Sequence, residues 1–467
     1  MGVLTARPDD VSALSRIGIA AFLLGLGFSI TLSQGALLLL TFLWLRRLRD
    51  PEARRAATWP LWAPVLGFSA VSLLSALASG HPRTSLVASK GLWLVAALYV
   101  AADVFTRSEV ADRFLSALSL VVAAAALMGL LQVGFCPQPE PSEGLGRWFF
   151  HRCDRARGSF SIYMTLAGIL NLLLLATLPR LLLGRRLWGL SFPAWLVTLL
   201  GLAATYTRGA WLGFVAGVLA LAPLIRTARW LLIGGLVVLF LGVLAGPQHL
   251  RQRFLSVGDS QDPTVKERVY MWRSAIAMWR EHPWLGVGPG GVKREYHRFA
   301  QPEALKQRTG HVHNTPLQIL VERGMIGLAA WLWIWAAFYV AALSLLRRLP
   351  AAAVRDRALV AGSLAAITGF LVAGLSEYNF GDSEVVMVAW TIMALPFVVS
   401  REAGGARAGL GESPSLPTGS RPSPYDAAPT ATDRTASRRS LPSRQALRSH
   451  LEAKLRYLRV TPCHSPR

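Results

Sequence analysis

The strongest constraint on this chain is a recurrence. Along its 467 residues, run after run passes with almost no charge, each near the roughly 20 residues needed to cross about 30 Å of hydrocarbon. The runs fall at 17–31, 33–45, 59–79, 86–105, 114–134, 160–178, 187–206, 210–225, 230–246, 325–346, 358–375 and 385–399. With 53% of residues hydrophobic, 16% charged and a mean hydropathy of +0.40, the chain is too apolar to stay in water. The bilayer is therefore the solvent to reason in. There the backbone must satisfy its own hydrogen bonds, which leaves helices or closed barrels, and these runs lack the alternation of barrel strands. The expected fold is all-α, a polytopic transmembrane helical bundle of about 12 spans. The first two runs leave a choice open, since 17–45 reads either as one long tilted helix or as a short hairpin.

Arginines set the orientation. Arg46, Arg47, Arg49, Arg54 and Arg55 follow the second run, and Arg180, Arg185 and Arg186 the sixth. Arg226 and Arg229 follow the eighth, and Arg347, Arg348, Arg355 and Arg357 the tenth. All four are exits on the same side if the spans number twelve, whereas the connections near 81–85 and 376–384 carry only Arg83. The positive-inside rule then places both termini in the cytoplasm. The same rule explains the formal net charge of +23 without nucleic acid, which is not expected as a partner. Asp9 and Asp10, and a first apolar run longer than a signal core, argue against a cleavable signal peptide.

This layout divides the chain into an N-terminal bundle at 1–246, a large outside loop at 247–324, C-terminal spans at 325–400 and a basic tail at 401–467. Pro, Ser, Gly and Arg dominate the tail to about Pro442, so it should be disordered, with a basic helix expected at 443–460. Cys136 and Cys153 share the other outside loop. In an oxidising compartment they can pair, two free thiols being the alternative, while Cys463 in the tail should stay reduced.

The large loop is expected to be partly helical. Asp262 followed by Pro263 reads as an N-cap with proline in the first turn, and His282-Pro283 as the stop. Between them Val269, Trp272, Ile276 and Trp279 form one apolar stripe, while Gly286, Gly288, Gly290 and Gly291 read as a flexible turn. The segment His311-Val-His313-Asn314-Thr315-Pro316-Leu317-Gln318 announces a second helix, with Thr315 and Gln318 in capping-box spacing. A helix N-terminus offers unpaired N–H groups to phosphate oxygens. A neutral histidine beside it has the right chemistry for a general base near pH 7, although the local pattern alone favours a loop histidine bonded to backbone. Arg208 lies between two apolar runs, where a charge is costly unless it faces a partner or a wet cavity. Snorkelling to the interface is the other account. Arg268, in Lys266-Glu267-Arg268, reads on its own as a basic helix face.

Taken together these motifs resemble the O-antigen ligase and polymerase family. His313-Asn314 followed by Gly324-x-x-Gly327 looks like its signature, and Arg208 with Leu212 resembles its arginine motif. Glu267-Arg268 with the later Pro283-Trp-Leu-Gly-Val-Gly-Pro-Gly290 is similar to the start of its large periplasmic loop, and Arg157-Gly158-Ser159-Phe160 to a run it places before a span. The resemblance covers about 157–395. It implies a metal-independent, inverting glycosyltransferase of the bacterial inner membrane, with no cofactor. Its donor would be a glycan on undecaprenyl diphosphate, and its acceptor lipid A-core or another glycan. By the same resemblance His313 is the catalytic base, Arg208 and Arg268 hold the diphosphate, and Asn314, Gly324 and Gly327 support the loop. No Asp-x-Asp pair occurs in the outside segments, where Asp259 and Asp262 come nearest, in keeping with the absence of a metal.

A polymerase of the same family needs the same donor chemistry and differs in its acceptor. A transporter or flippase would be expected to carry charge at mid-membrane or broken helices in paired halves. Only Lys90 and Asp103, near the ends of one run, approach that. An oligosaccharyltransferase-type enzyme would carry an acidic residue in its first outside loop, which here reads Thr31-Leu32-Ser33.

Overall fold

A computed structural model describes residues 13–411 except 138–139, 141–142, 185–188, 247, 257–258 and 260. The expectations for the tail beyond Gly411, including the basic helix and Cys463, lie outside the described residues. Among those described there is no strand. The helices are α1 (Ala13–Phe28), α2 (Ile30–Arg47), α3 (Pro51–Ala56), α4 (Trp62–Ala78), α5 (Pro82–Ala88) and, after a 3-10 stretch at Ser89–Val95, α6 (Ala96–Val104). Next come α7 (Ser108–Gly134), α8 (Gly144–Phe150), α9 (Tyr163–Leu183), α10 (Ser191–Ala204), α11 (Arg208–Leu224) and α12 (Arg229–Ala245). They are followed by α13 (Gln248–Leu255), α14 (Pro263–Glu281), α15 (Gly291–Phe299), α16 (Thr315–Arg348), α17 (Val354–Ala373) and α18 (Ser383–Gly411).

The protein is thus an all-α polytopic bundle. Among the described residues seven helical segments are long and apolar enough to cross a membrane, and α1, α4, α10 and α11 are apolar but shorter. Together with α2 these occupy the apolar runs of the sequence one for one. The open choice at 17–45 is resolved as two helices. Ser29 is extended and caps α2, and the chain folds back on itself there. A Cβ on Gly25 would stand 2.4 Å from Ser33 N, and one on Gly18 would stand 2.9 Å from Leu40 Cδ2. Those two contacts step in opposite directions along α1 and α2, as in an antiparallel hairpin.

The centre of the bundle is α9, α17 and α18, each more than 70% buried over its apolar window, whereas α12 is only 11% buried and rides on the periphery. Close backbone approach builds that centre. A Cβ on Gly213 would come within 2.4 Å of Gly369 O, and one on Gly362 within 2.2 Å of Ala176 O. Small residues at such crossings are how helices pack where lipid is as apolar as leucine.

The first residues of the tail expected to be disordered from Arg401 are helical instead, because α18 continues to Gly411. Arg401 donates from Nη1 to Ala102 O at 2.7 Å and from Nη2 to Phe105 O at 2.5 Å, and Glu402 accepts from Ser108 N at 2.7 Å. These contacts satisfy the end of α6 and the start of α7, and they carry α18 past the expected stop.

At the end of the bundle where α7 stops and α9 begins, Cys136 and Cys153 are joined, their Cα atoms 5.5 Å apart. Arg157 braces the same loop, donating to the carbonyls of His151, Phe160 and Trp148 at 2.5–3.1 Å. The bond closes a loop of 17 residues, for which chain entropy predicts roughly 3 kcal/mol. Cys153→Ser should therefore lower the thermal midpoint of the detergent-solubilised protein, as should reductant with the wild type. Equal midpoints in all three samples would contradict a stabilising role.

Candidate functional site

The large loop folds on its own small core. Met271, Ala275 and Met278 of α14 are essentially buried against Val287, Val292, Tyr296, Val312 and Val321. This corrects the stripe expected from the sequence: Trp272 and Trp279 only flank the contact, and Ile276 is exposed. The slimmer methionine and alanine row lets α14 lie closer to α15 and the start of α16 than tryptophans would. Asp262 caps α14 as expected, accepting from Thr264 N at 2.8 Å.

The second helix starts where expected, but with a different cap. Asn314 rather than Thr315 is the N-cap, accepting from Leu317 N at 2.9 Å. The Thr315 hydroxyl is engaged elsewhere, donating to Glu377 O at 2.9 Å and meeting Asn379 Oδ1 at 3.0 Å. Gln318 turns back to accept from Val312 N at 3.0 Å. Trp272 Nε1 donates to Val312 O at 3.0 Å. With residue 312 pinned at both backbone groups and 314 committed to the cap, His313 between them takes a left-handed φ of 49°. A non-glycine residue there costs on the order of 1–3 kcal/mol. The constraint holds its ring toward Glu377.

Glu377 is the hub. Its Oε2 lies 3.2 Å from His313 Nδ1, and its Oε1 accepts from Arg268 Nη2 at 2.6 Å. All three side chains are largely buried. An ionised carboxylate can only accept, so Nδ1 carries the proton and Nε2 is left as the basic nitrogen. Arg208, at the start of α11, joins the same end of the bundle. Its neighbour Gly209 has no room for a side chain, because a Cβ would stand 2.2 Å from Ser376 Oγ and 3.4 Å from Glu377 Cγ. The Arg208 guanidinium donates to Ser256 O at 2.8 Å, Asp262 Oδ2 at 3.0 Å and Thr264 Oγ1 at 3.2 Å. Arg253 adds a second cation 3.9 Å from Asp262 Oδ2. Burial raises the Asp262 pKa, but hydrogen bonds from Thr264 and Arg208 outweigh it and hold the carboxyl down to about 2. The two guanidiniums expected to meet an anion therefore each rest on a carboxylate.

Gly324 and Gly327 shape the support. Helical geometry within α16 breaks at Gly324 (φ 67°, ψ −171°), a region open essentially to glycine alone. The backbone at Pro283–Leu285 crosses the break, and Met325 N donates to Pro283 O at 2.9 Å. At Gly327 a Cβ would stand 2.2 Å from Arg323 Cβ. Gly286, Gly288 and Gly290, expected as a flexible turn, instead pack tightly: Val287 N donates to Val321 O and Gly288 N to Glu322 O, both at 3.0 Å.

The O-antigen ligase family model matches residues 192–332. That match, over less than half of the chain, makes the segment similar to the O-antigen ligase and polymerase family. No curated protein matches the chain. The matched segment runs from α10 into α16 and contains Arg208, Arg268, His313, Gly324 and Gly327. It stops short of Glu377, the residue the sequence reading passed over. The available signal was three acidic residues, Glu377, Asp382 and Glu384, in a short connection between two apolar runs. Similarity to that family points to lipid-linked glycan and acceptor substrates.

His311 stacks on the site edge-on, its ring centroid 4.5 Å from that of His313. Burial, then the neighbouring His313, lower its pKa from 6.5 to about 4. Because the folded value lies below the unfolded one, the neutral form stabilises the fold. That contribution is complete above about pH 6.5 and is lost as pH falls toward about 4. The thermal midpoint should drop across this window in wild type and drop less in His311→Gln. Parallel pH profiles for the two would remove His311 as the cause.

Proposed function

We propose that this protein transfers a glycan from undecaprenyl diphosphate to a sugar hydroxyl of lipid A-core, at the periplasmic face of the bacterial inner membrane. The chain would cross that membrane about twelve times, with its arginine-rich connections in the cytoplasm. The observation that carries the reading is Glu377 joining His313 and Arg268, which sets a basic nitrogen and a fixed cation on one carboxylate. In this mechanism His313 Nε2 takes the proton of the acceptor hydroxyl. The oxygen attacks the anomeric carbon from the side opposite the diphosphate, the carbon–oxygen bond to phosphate breaks, and the sugar inverts. Undecaprenyl diphosphate leaves with the bonding pair, and Arg208 and Arg268 meet its charge. Fixed guanidiniums supply what a divalent ion supplies elsewhere. Asn314, Gly324 and Gly327 hold the histidine loop in place.

Asp262 then acts as a stand-in for the donor. Its carboxylate occupies the fork of Arg208, so diphosphate must displace it. Asn is as good an N-cap as Asp, so Asp262→Asn removes the competing charge while keeping the cap of α14. The KM for donor should fall about tenfold, for roughly 1.4 kcal/mol of lost competition. An unchanged or higher KM would mean that Arg208 does not meet the donor.

The test of the reading is reconstitution. Purified protein receives lipid-linked glycan together with lipid A-core or, separately, a second lipid-linked chain. Transfer to lipid A-core that persists in EDTA is expected. Transfer only between lipid-linked chains would make the protein a polymerase, and loss in EDTA would overturn the metal-free mechanism. Glycan export that persists in a folded His313→Ala variant would point to a transporter.

A further inference from the structure

We propose that a cavity at the opposite end of the bundle binds the headgroup and upper chain of an anionic glycerophospholipid. The cavity has a volume of about 590 Å³ and lies between α7, α9, α10 and α17, within the roughly 300–1,000 Å³ usual for ligand sites. It opens where α9 ends and α7, α10 and α17 begin. This is the end bearing Arg180, Arg347, Arg348 and Arg357, which the positive-inside rule gives to the cytoplasm.

The space has a packing cause. Toward the functional site α7 and α10 press together, and a Cβ on Gly201 would lie 2.8 Å from Ala126 Cβ. Two to three turns away the lining residues are small, Ser116 and Ser119 on α7, Ala194 on α10 and Ala358 on α17, so the helices leave a wedge between them. Trp195 forms one wall, fixed by its Nε1 donating to Leu174 O at 3.1 Å. Deep in the wedge the walls are apolar at Leu120 and Leu173, and the rim is charged.

The rim has a cationic surplus, with Arg113, Arg180 and Arg355 against Glu109 and Asp112. Arg180 is held rigidly, donating to Asp112 Oδ1 at 2.7 Å, Asp112 O at 3.0 Å and Ser116 Oγ at 2.5 Å. Arg113 pairs with Glu109. Arg355 has a carboxylate, Asp356, only at 3.8 Å, beyond hydrogen-bond range. Its ion pair is thus the longest of the three at the rim, and the one a phosphate can most readily take over. A basic mouth at headgroup depth over an apolar wedge matches the pockets between membrane helices that take anionic headgroups.

The test uses full-length protein in nanodiscs and photoactivatable phosphatidylglycerol, with photoactivatable phosphatidylethanolamine and free glycerol phosphate as separate competitors. Labelling is expected in peptides from α7, α9, α10 and α17. It should fall at least severalfold in Ala194→Trp, which fills the wedge, and in Arg355→Glu, which reverses the rim charge without touching packing. Circular dichroism melting reports whether each variant folds. Labelling that is unaltered in both folded variants overturns the site. Equal competition by phosphatidylethanolamine overturns the anionic class, and displacement by glycerol phosphate alone overturns the lipid.

Discussion

His313→Ala should lower the rate of glycan transfer by about 10²–10⁴-fold, the usual contribution of a positioned general base, with little change in donor binding. The separation follows from the geometry. His313 reaches the site through Nε2, while the cations that would hold the diphosphate, Arg208 and Arg268, sit on different helices, α11 and α14. Removing the imidazole leaves Arg268 on Glu377. Glu377→Gln separates positioning from basicity. The amide keeps the shape but no longer anchors Nδ1–H with charge, so kcat should fall about ten- to hundredfold, as when other partners that orient a histidine are removed. Transfer in His313→Ala within a few-fold of wild type would end the general-base assignment. A kcat in Glu377→Gln within a few-fold of wild type would reduce Glu377 to a structural ion pair.

What the sequence could reveal depended on distance along the chain. The bundle was legible because each helix announces itself within its own roughly 20 residues of apolar chain. The start of α16 was legible for the same reason, and the error there was local: the Asn314 and Thr315 side chains can both cap a helix, and the choice fell to Asn314 because Glu377 O and Asn379 Oδ1 claim the threonine hydroxyl. Glu377 itself was not legible. Its partners His313 and Arg268 lie 64 and 109 positions away, and no local period records such a meeting. Asp262 shows the intermediate case, readable as a helix cap and unreadable as the partner of Arg208, 54 positions upstream. The buried face of α14 was misread because hydrophobic periodicity favours the largest side chains. Selection of a face is made by the partner surface, here a narrow cluster around Tyr296 and Val321.

Gly324→Ala should cost roughly 2–6 kcal/mol, a backbone penalty and an overpacking penalty added together, against total stabilities of about 5–15 kcal/mol. The first part arises because φ 67° with ψ −171° is closed to alanine. The second arises because the new Cβ would stand 2.0 Å from Trp284 O and 2.5 Å from Leu285 N, backbone atoms with no flexible end to yield. Relief requires the 283–288 strand of chain to lift off α16, which breaks the bonds from Met325 N to Pro283 O and from Val287 N to Val321 O. Val321 belongs to the small core that also seats Val312, so the damage reaches the residue beside His313. Transfer should therefore fail along with stability. Gly235→Ala is the control, since a Cβ there meets nothing within 4 Å and alanine is the better helix former. Solubilised Gly324→Ala with a wild-type melting midpoint and wild-type transfer would show that the break in α16 does not position the histidine loop.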